Sequence, residues 1–482
     1  MVIDSFQILN GCATGVYPVM EYPSVKNKVV RTMMSSSEYS SINAWNINPQ
    51  SGQVNNNNNN KYNSNVVRPV VALDKKRANG WMEAYADCLS NKMTSCQCTL
   101  YRLDDADLLV LMQECEERRY VPSKSICFCV TIPKVREIFA AAFRDRIVQH
   151  WICLRIEPLL EQRFIEQGDV SWNCRKHHGT QKAALALRHD IIEVSCGYTR
   201  KAYVGRFDIV SFFMSIDIRI LERFAVELVS RKYHGKDKDL LLYLLTVTIR
   251  HRPQCHCEKR GDLSLWKLLP NGKSLFDVEC FRGMPIGNIT SQLLANFYMS
   301  FFDEYMVALC RAIGARYERF VDDFAVVCLR KEDVLKLRDK AAIFLKERLN
   351  LEMHHDKQYI QDVTKGVYFV GNVIKMERMY IANRALGGMC QRFRELQGYL
   401  KQLQGKSFNL ANAYELEHFR ASLNSYLGFM RGKQSYGMRR KAFAEHCPLL
   451  FDYFYIGGHF EVVKIKREYS IKYQLLRLEC YD

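Results

Sequence analysis

The sequence predicts an α+β fold organised around a split βαβ lobe, on three observations. Ala202–Phe207 reads as a strand that ends at Asp208. Arg316–Phe320 and Phe324–Leu329 are short apolar-rich runs flanking Val321, Asp322 and Asp323, the pattern of a hairpin with an acidic tip. Between and after them lie helical patterns: 290–305, with Leu294, Phe297, Tyr298 and Phe301 on one face, then a segment with Val334, Leu337, Ala341 and Leu345 on its inner face. Strand, helix, hairpin and helix in that order bring the acidic strand end beside the acidic tip.

Along the chain, residues 1–80 read as a flexible N-terminal extension. Within it, residues 43–65 hold eleven Asn in 23 positions, a bias that cannot pack an apolar core. Mixed apolar periodicity returns over 81–202, with a helix expected around 139–160 and basic residues at Lys134, Arg136, Arg144 and Arg146. The acidic motifs fall in 203–384. From 385 to 482, helical patterns rich in Arg and Lys suggest a separate basic lobe.

Lys and Arg outnumber Asp and Glu by 69 to 52, a net +17 that favours a polyanionic partner. The longest mostly apolar run, around 240–249, is far below the roughly 18 residues that span a bilayer, so no membrane is expected as a partner. No basic start precedes a compact apolar stretch at the N-terminus, and the 18 Cys are scattered rather than framed as in a small secreted module. Both point to a cytoplasmic setting with reduced thiols.

Adjacent carboxylates in an apolar hairpin repel one another and cost desolvation, so Asp322 and Asp323 call for a counter-cation. Hard Asp oxygens suit Mg²⁺. Nucleotidyl transfer uses two such ions roughly 3.5 to 4 Å apart, one activating a 3′-hydroxyl and one bound to the triphosphate. Read alone, a paired Asp is more often a solvated turn.

Three segments change that balance: Phe207-Asp208-Ile209-Val210-Ser211-Phe212-Phe213, Gly283-Met284-Pro285-Ile286-Gly287-Asn288-Ile289-Thr290-Ser291-Gln292, and Phe320-Val321-Asp322-Asp323. Together, in this order, they resemble reverse transcriptase motifs. The resemblance implies a right-hand polymerase with fingers over 81–202, a split-βαβ palm over 203–384 and a helical thumb over 385–482. It implies that Asp208, Asp322, Asp323 and the Ile209 backbone hold two Mg²⁺ ions, with Mn²⁺ as a substitute. Phe213, five residues after Asp208, falls where the family places a ring that excludes a ribose 2′-hydroxyl, although a Phe here could equally be core.

In the middle segment most reverse transcriptases have Gln before Gly287 and Pro after Ser291; this chain has Ile286 and Gln292. Enzymes of diversity-generating retroelements, within the group II intron-like superfamily, look like this. They copy a template RNA into cDNA with errors opposite adenine, and the resemblance implies template RNA, a cDNA or primer strand, dNTPs and an accessory variability protein, a basic oligomer, as partners. An aliphatic side chain in place of an amide removes a positional restraint near the templating pair, worth about 1 to 2 kcal/mol of discrimination.

Further likeness runs over most of 81–440. Pro133, Lys134, Arg136 and Glu137, with Arg175 and Lys176, resemble fingers segments that grip template and triphosphate. Gly287 and Lys357 resemble residues beside the nucleotide, and Phe369, Val370 and Gly371 the primer-grip hairpin. Asn424, Ser425, Tyr426, Arg439 and Arg440 resemble the thumb. His251, Cys255, His256 and Cys257 lack the second spaced pair of a zinc site and read better as an insertion loop.

The stretch from Ala44 to Val70 resembles the variable tail of target proteins in these retroelements. Every Asn codon begins with two adenines, so this region of the gene is expected to overlap the template repeat. Rival readings are an antiphage-defence, retron or group II intron-type reverse transcriptase, bacterial or phage-encoded like the first, and an RNA-binding scaffold with an inactive palm.

Overall fold

The computed structural model describes residues 75–90, 105–131 and 134–470. The Asn-rich stretch and Pro133 lie outside the described residues.

Helix α1, Lys75–Leu89, runs across the boundary expected at residue 80, because Trp81 is buried and its ring stacks on Trp151 at 5.1 Å. Helix α2 follows at Asp105–Glu116, then strands β1, Ser125–Val130, and β2, Arg136–Ala140, paired antiparallel from Ile126↔Ala140 to Val130↔Arg136. The helix expected around 139–160 therefore starts later: Phe139 belongs to β2, and helix α3 is Phe143–Glu166. The apolar run continues into α3, but its first residues satisfy their backbone groups on β1, a pairing that periodicity cannot reveal. Helix α4 is Thr180–Val194.

The central sheet is built from β3, Tyr203–Phe207, and three later strands. After β3 come a single helical turn at Phe212–Ser215 and helices α5, Ile218–Lys232, and α6, Lys238–Arg250. An insertion then carries β4, Cys257–Lys259, which adds in parallel to β1. Helix α7, Ile289–Ala312, leads into β5, Arg316–Phe320, and β6, Asp323–Cys328; helix α8, Lys331–Leu349, leads into β7, Tyr359–Asp362. The sheet order is β5-β6-β3-β7, all antiparallel. This is the β-α-β-β-α-β arrangement, in which the first strand pairs with the third and so carries Asp208 to the end of the β5–β6 hairpin. Every residue of β6 is buried, as an inner strand covered on both faces requires. Val334, Leu337, Ala341 and Leu345 of α8 are the face buried against the sheet.

Strands β8, Val367–Phe369, β9, Asn372–Ile374, and β10, Met379–Ile381, form a small antiparallel sheet. Helices α9, Asn383–Leu403, α10, Leu410–Met430, and α11, Tyr436–His446, with the hairpin of β11, Phe454–Gly457, and β12, Val462–Ile465, then enclose a second apolar core around Phe393, Leu423 and Phe443. Among the described residues no helix is long and apolar enough to cross a membrane.

Candidate active site

Strand pairing brings the three carboxylates to one end of the sheet. Phe207 pairs with Phe324 and Phe320 with Asp323, so Asp208 leaves β3 beside the two-residue turn Val321–Asp322. Val321 takes a φ of +60°, a strained conformation for a β-branched residue. The turn is gripped from below: Val321 N donates to Asn173 Oδ1 at 2.7 Å, and Arg319 Nη1 donates to Val321 O at 2.9 Å. Arg319 is fully buried, with two nitrogens 2.6 Å from the oxygens of Asp303, and Nη2 donates to Asn296 Oδ1 at 2.8 Å. Tyr317 Oη also donates to Asp303, at 2.8 Å.

Each outer carboxylate faces a cation. Lys357 Nζ is 2.9 Å from Asp208 Oδ2. Arg206, two residues before Asp208 and therefore on the same face of the extended chain, places Nε 2.9 Å from Asp323 Oδ1. That contact lies off the hydrogen-bonding direction, and Asp323 Oδ1 is buried without a hydrogen-bond donor among the described residues. Burial, then the charges of Asp208 and Asp323, push the half-buried Asp322 carboxyl up to about 7. Burial also raises Asp323, against the lowering effect of Arg206.

Hard oxygens, three carboxylates at one strand end and a buried Asp323 oxygen without a hydrogen-bond donor among the described residues are what a divalent cation would answer, so Asp208, Asp322 and Asp323 could hold one. The three do not close to within 4.8 Å of one another; among the described residues the set that does is His189, Asp190 and Glu193, whose Glu193 is already paired with Arg316. His251, Cys255, His256 and Cys257 form no such cluster.

Ile209 is buried and bridged to Met353, while Asp208 O accepts from His354 N at 2.8 Å. Phe213 sits edge-on to Phe212 at 5.4 Å, and its carbonyl accepts from Met284 N at 2.8 Å. Ile286 O accepts from Phe139 N at 2.8 Å, tying this segment to β2. Gly287, at φ +122°, lies so close that a Cβ there would meet Phe139 O at 2.7 Å. Gln292, half-buried, is in the first turn of α7.

Lys134 is exposed and Arg136 opens β2; burial and then the charges of Arg384, Lys357 and Arg136 lower the Lys134 pKa, against the charge of Asp208. Arg175 and Lys176 are elsewhere engaged. Arg175 is buried, donates to both oxygens of Glu161 at 2.9 and 2.6 Å, reaches Asp169 at 2.6 Å and donates to Ser171 O at 2.6 Å. Lys176 pairs with Glu157 at 2.7 Å. Glu137 is also buried, accepting from Trp266 Nε1, Ser274 Oγ and Leu275 N at 2.8 to 2.9 Å, so it latches the insertion to β2.

Phe369 and Val370 are buried, and Val370–Gly371 makes the β8–β9 turn. In the C-terminal lobe Ser425 is exposed, the Tyr426 hydroxyl lies against Gly388, and Asn424 bonds Val463 at both its backbone groups. Arg440 is exposed, whereas Arg439 is buried within 3.4 Å of Glu461, facing the interior. Arg206, Asn173 and Arg319 were not singled out from sequence. Arg206 could have been, from the period-2 alternation that puts residues 206 and 208 on one face.

No protein-family model matches the chain. It is 24% identical over 308 residues to Protein YkfC of Escherichia coli (strain K12), covering 56% of this chain and 72% of that protein. Solved structures similar to it include apo telomerase from Candida tropicalis, at 13% identity and a TM-score of 0.41 over 64% of this chain and 52% of that one. Telomerase from Candida albicans in complex with the TWJ fragment of telomeric RNA is similar at 10% identity and a TM-score of 0.38, over 74% of this chain and 64% of that one. The chain thus spans between half and two thirds of those telomerase chains.

Proposed function

We propose that this protein is an RNA-directed DNA polymerase acting by two-metal nucleotidyl transfer, within a diversity-generating retroelement. The observation that carries the reading is that strand pairing brings Asp208, from the end of β3, to the same end of a split βαβ sheet as Asp322 and Asp323 of the β5–β6 turn.

Asp208, Asp322 and Asp323 would hold Mg²⁺, or Mn²⁺ in its place, and the bound ions would supply Lewis-acid activation of a 3′-hydroxyl and charge neutralisation at the phosphates. The remaining roles belong to the chain. Lys357 exchanges its ion pair with Asp208 for the triphosphate and stands ready to give a proton to leaving pyrophosphate. Lys134 and Arg136 add charge-assisted contacts to phosphate oxygens. Phe213, its backbone pinned by Met284, presents a ring under the incoming sugar and selects dNTPs. Ile286 and Gln292 relax base discrimination. The β8–β9 hairpin and the basic helical lobe hold the primer and the RNA template, whose phosphates the net positive charge favours. A basic oligomeric accessory protein completes the assembly.

The test is primer extension on an RNA template with the wild type and with Asp322→Asn, followed by sequencing of the cDNA. Synthesis that Asp322→Asn abolishes, with errors concentrated opposite template adenine, is the expected result. Faithful copying would move the protein to the retron, defence or group II intron class, and synthesis indifferent to Asp322→Asn would overturn the site. RNA binding without synthesis would make it a scaffold.

A further inference from the structure

The insertion between α6 and α7 does more than extend the N-terminal lobe. Its β4 strand adds to β1, and its later part is fastened to the buried Glu137 through Trp266, Ser274 and Leu275. Leu275 is buried with Met214 and Phe139, against Phe213. Immediately before this latch, Pro270–Lys273 closes a turn with Lys273 N donating to Pro270 O at 3.1 Å; Gly272 takes φ +70° at its third position, where a side chain would be strained. A Cβ on Gly272 would sit 3.6 Å from Ser211 Oγ, three residues beyond Asp208.

Lys273 thus lies between Gly272, beside Ser211, and Ser274 and Leu275, which are fixed to Glu137. Burial holds the Lys273 ammonium below its ordinary pKa, with the carboxylates of Asp322 and Asp208 acting against that and Lys357 and Arg136 adding to it. Lys357 is already paired with Asp208, and Lys134 and Lys273 are further cations acted on by the same charges, a pattern that favours a polyanion.

We infer that Lys273, carried by the insertion, binds the phosphate end of an incoming nucleoside triphosphate, making the insertion a wall of the nucleotide site. The inference rests on the polymerase reading for the identity of the polyanion, and on the turn and latch for the position of the cation. A single charge-assisted hydrogen bond sets the size of the effect, on the order of tenfold in affinity.

The experiment is a calorimetric titration of dATP, with Ca²⁺ present, into the full chain bound to an RNA template annealed to a DNA primer, alongside primer extension. Lys273→Gln is expected to weaken dATP about tenfold, with Lys273→Arg within about twofold of the wild type, and with affinity for the primed template unchanged. Equal dATP affinity in Lys273→Gln and the wild type, or no dATP binding by the wild type, overturns the inference. So does an equal loss of template affinity, which would assign Lys273 to the nucleic-acid backbone. Extension by the wild type judges the polymerase reading separately: absent synthesis with a Lys273-dependent dATP affinity would leave the triphosphate contact standing and remove the polymerase.

Discussion

Arg206 Nε lies 2.9 Å from Asp323 Oδ1, and the same guanidinium donates through Nη1 to Tyr368 O at 3.2 Å and lies 5.0 Å from the Tyr368 ring. One side chain thereby ties the acidic turn to the β8–β9 hairpin. Without it, Asp323 would be a buried carboxylate lacking a counter-charge, which costs about 3 to 5 kcal/mol in comparable sites unless the group takes up a proton. Arg206→Met is expected to lower both melting temperature and primer-extension rate, while Arg206→Met combined with Asp323→Asn recovers the stability and not the rate. A double-mutant cycle measured by thermal unfolding and steady-state extension checks this; full additivity in stability would show the pair to be uncoupled.

The turn itself depends on the Arg319–Asp303 pair, both groups buried and joined at 2.6 Å. Asp303→Ala should destabilise the fold by about 3 to 5 kcal/mol, because it strands the Arg319 charge in the core. Replacing both with apolar residues should restore much of the stability, yet leave Val321 without the donor that holds its carbonyl. Urea unfolding reads the first effect; residual extension by the double variant, expected to be well below wild type, reads the second.

Local pattern revealed the acidic hairpin, because alternation and a charged tip are properties of neighbouring residues. It also revealed the buried face of α8. It failed where a residue's fate is decided by a distant partner. Phe139 reads as helix but pairs with Cys127, and Arg175 resembles a phosphate-gripping residue but is enclosed by Glu161 and Asp169. Asn173, which holds the acidic turn from 148 residues away, has no local signature. Lys273 carried none either, since its position depends on the latch to Glu137.

Away from the site, burial raises Asp190 to about 6 against the lowering effect of a hydrogen bond from Glu318, while burial and then the charge of Asp190 raise Glu318 well above its ordinary range. The folded state holds its proton more tightly than the unfolded chain does. Stability from this pair is therefore full below about pH 4, where the unfolded carboxyls are still protonated, and falls as pH rises through about 6. Asp190→Asn removes that loss and can donate to Glu318. It should exceed the wild type by about 2 kcal/mol at pH 7.5, with the gap closing toward pH 4. Denaturation at several pH values checks it, and a pH-independent gap would reject the linkage.

Ile286 offers the sharpest test of the retroelement assignment. Its carbonyl is committed to Phe139 N, and the neighbouring Gly287 has no room for a Cβ, so the backbone of this segment has one path and only the side chain at 286 is free to vary. Ile286→Gln introduces an amide that can hydrogen-bond near the templating pair without moving that backbone. It should improve discrimination opposite adenine by about 1 to 2 kcal/mol, roughly 5- to 30-fold fewer errors there, with little change opposite the other bases. Sequencing cDNA made by the two proteins on one RNA measures this directly. A uniform change across all four template bases would mean that residue 286 acts on nucleotide binding in general, and an unchanged spectrum would place the source of adenine errors outside this residue.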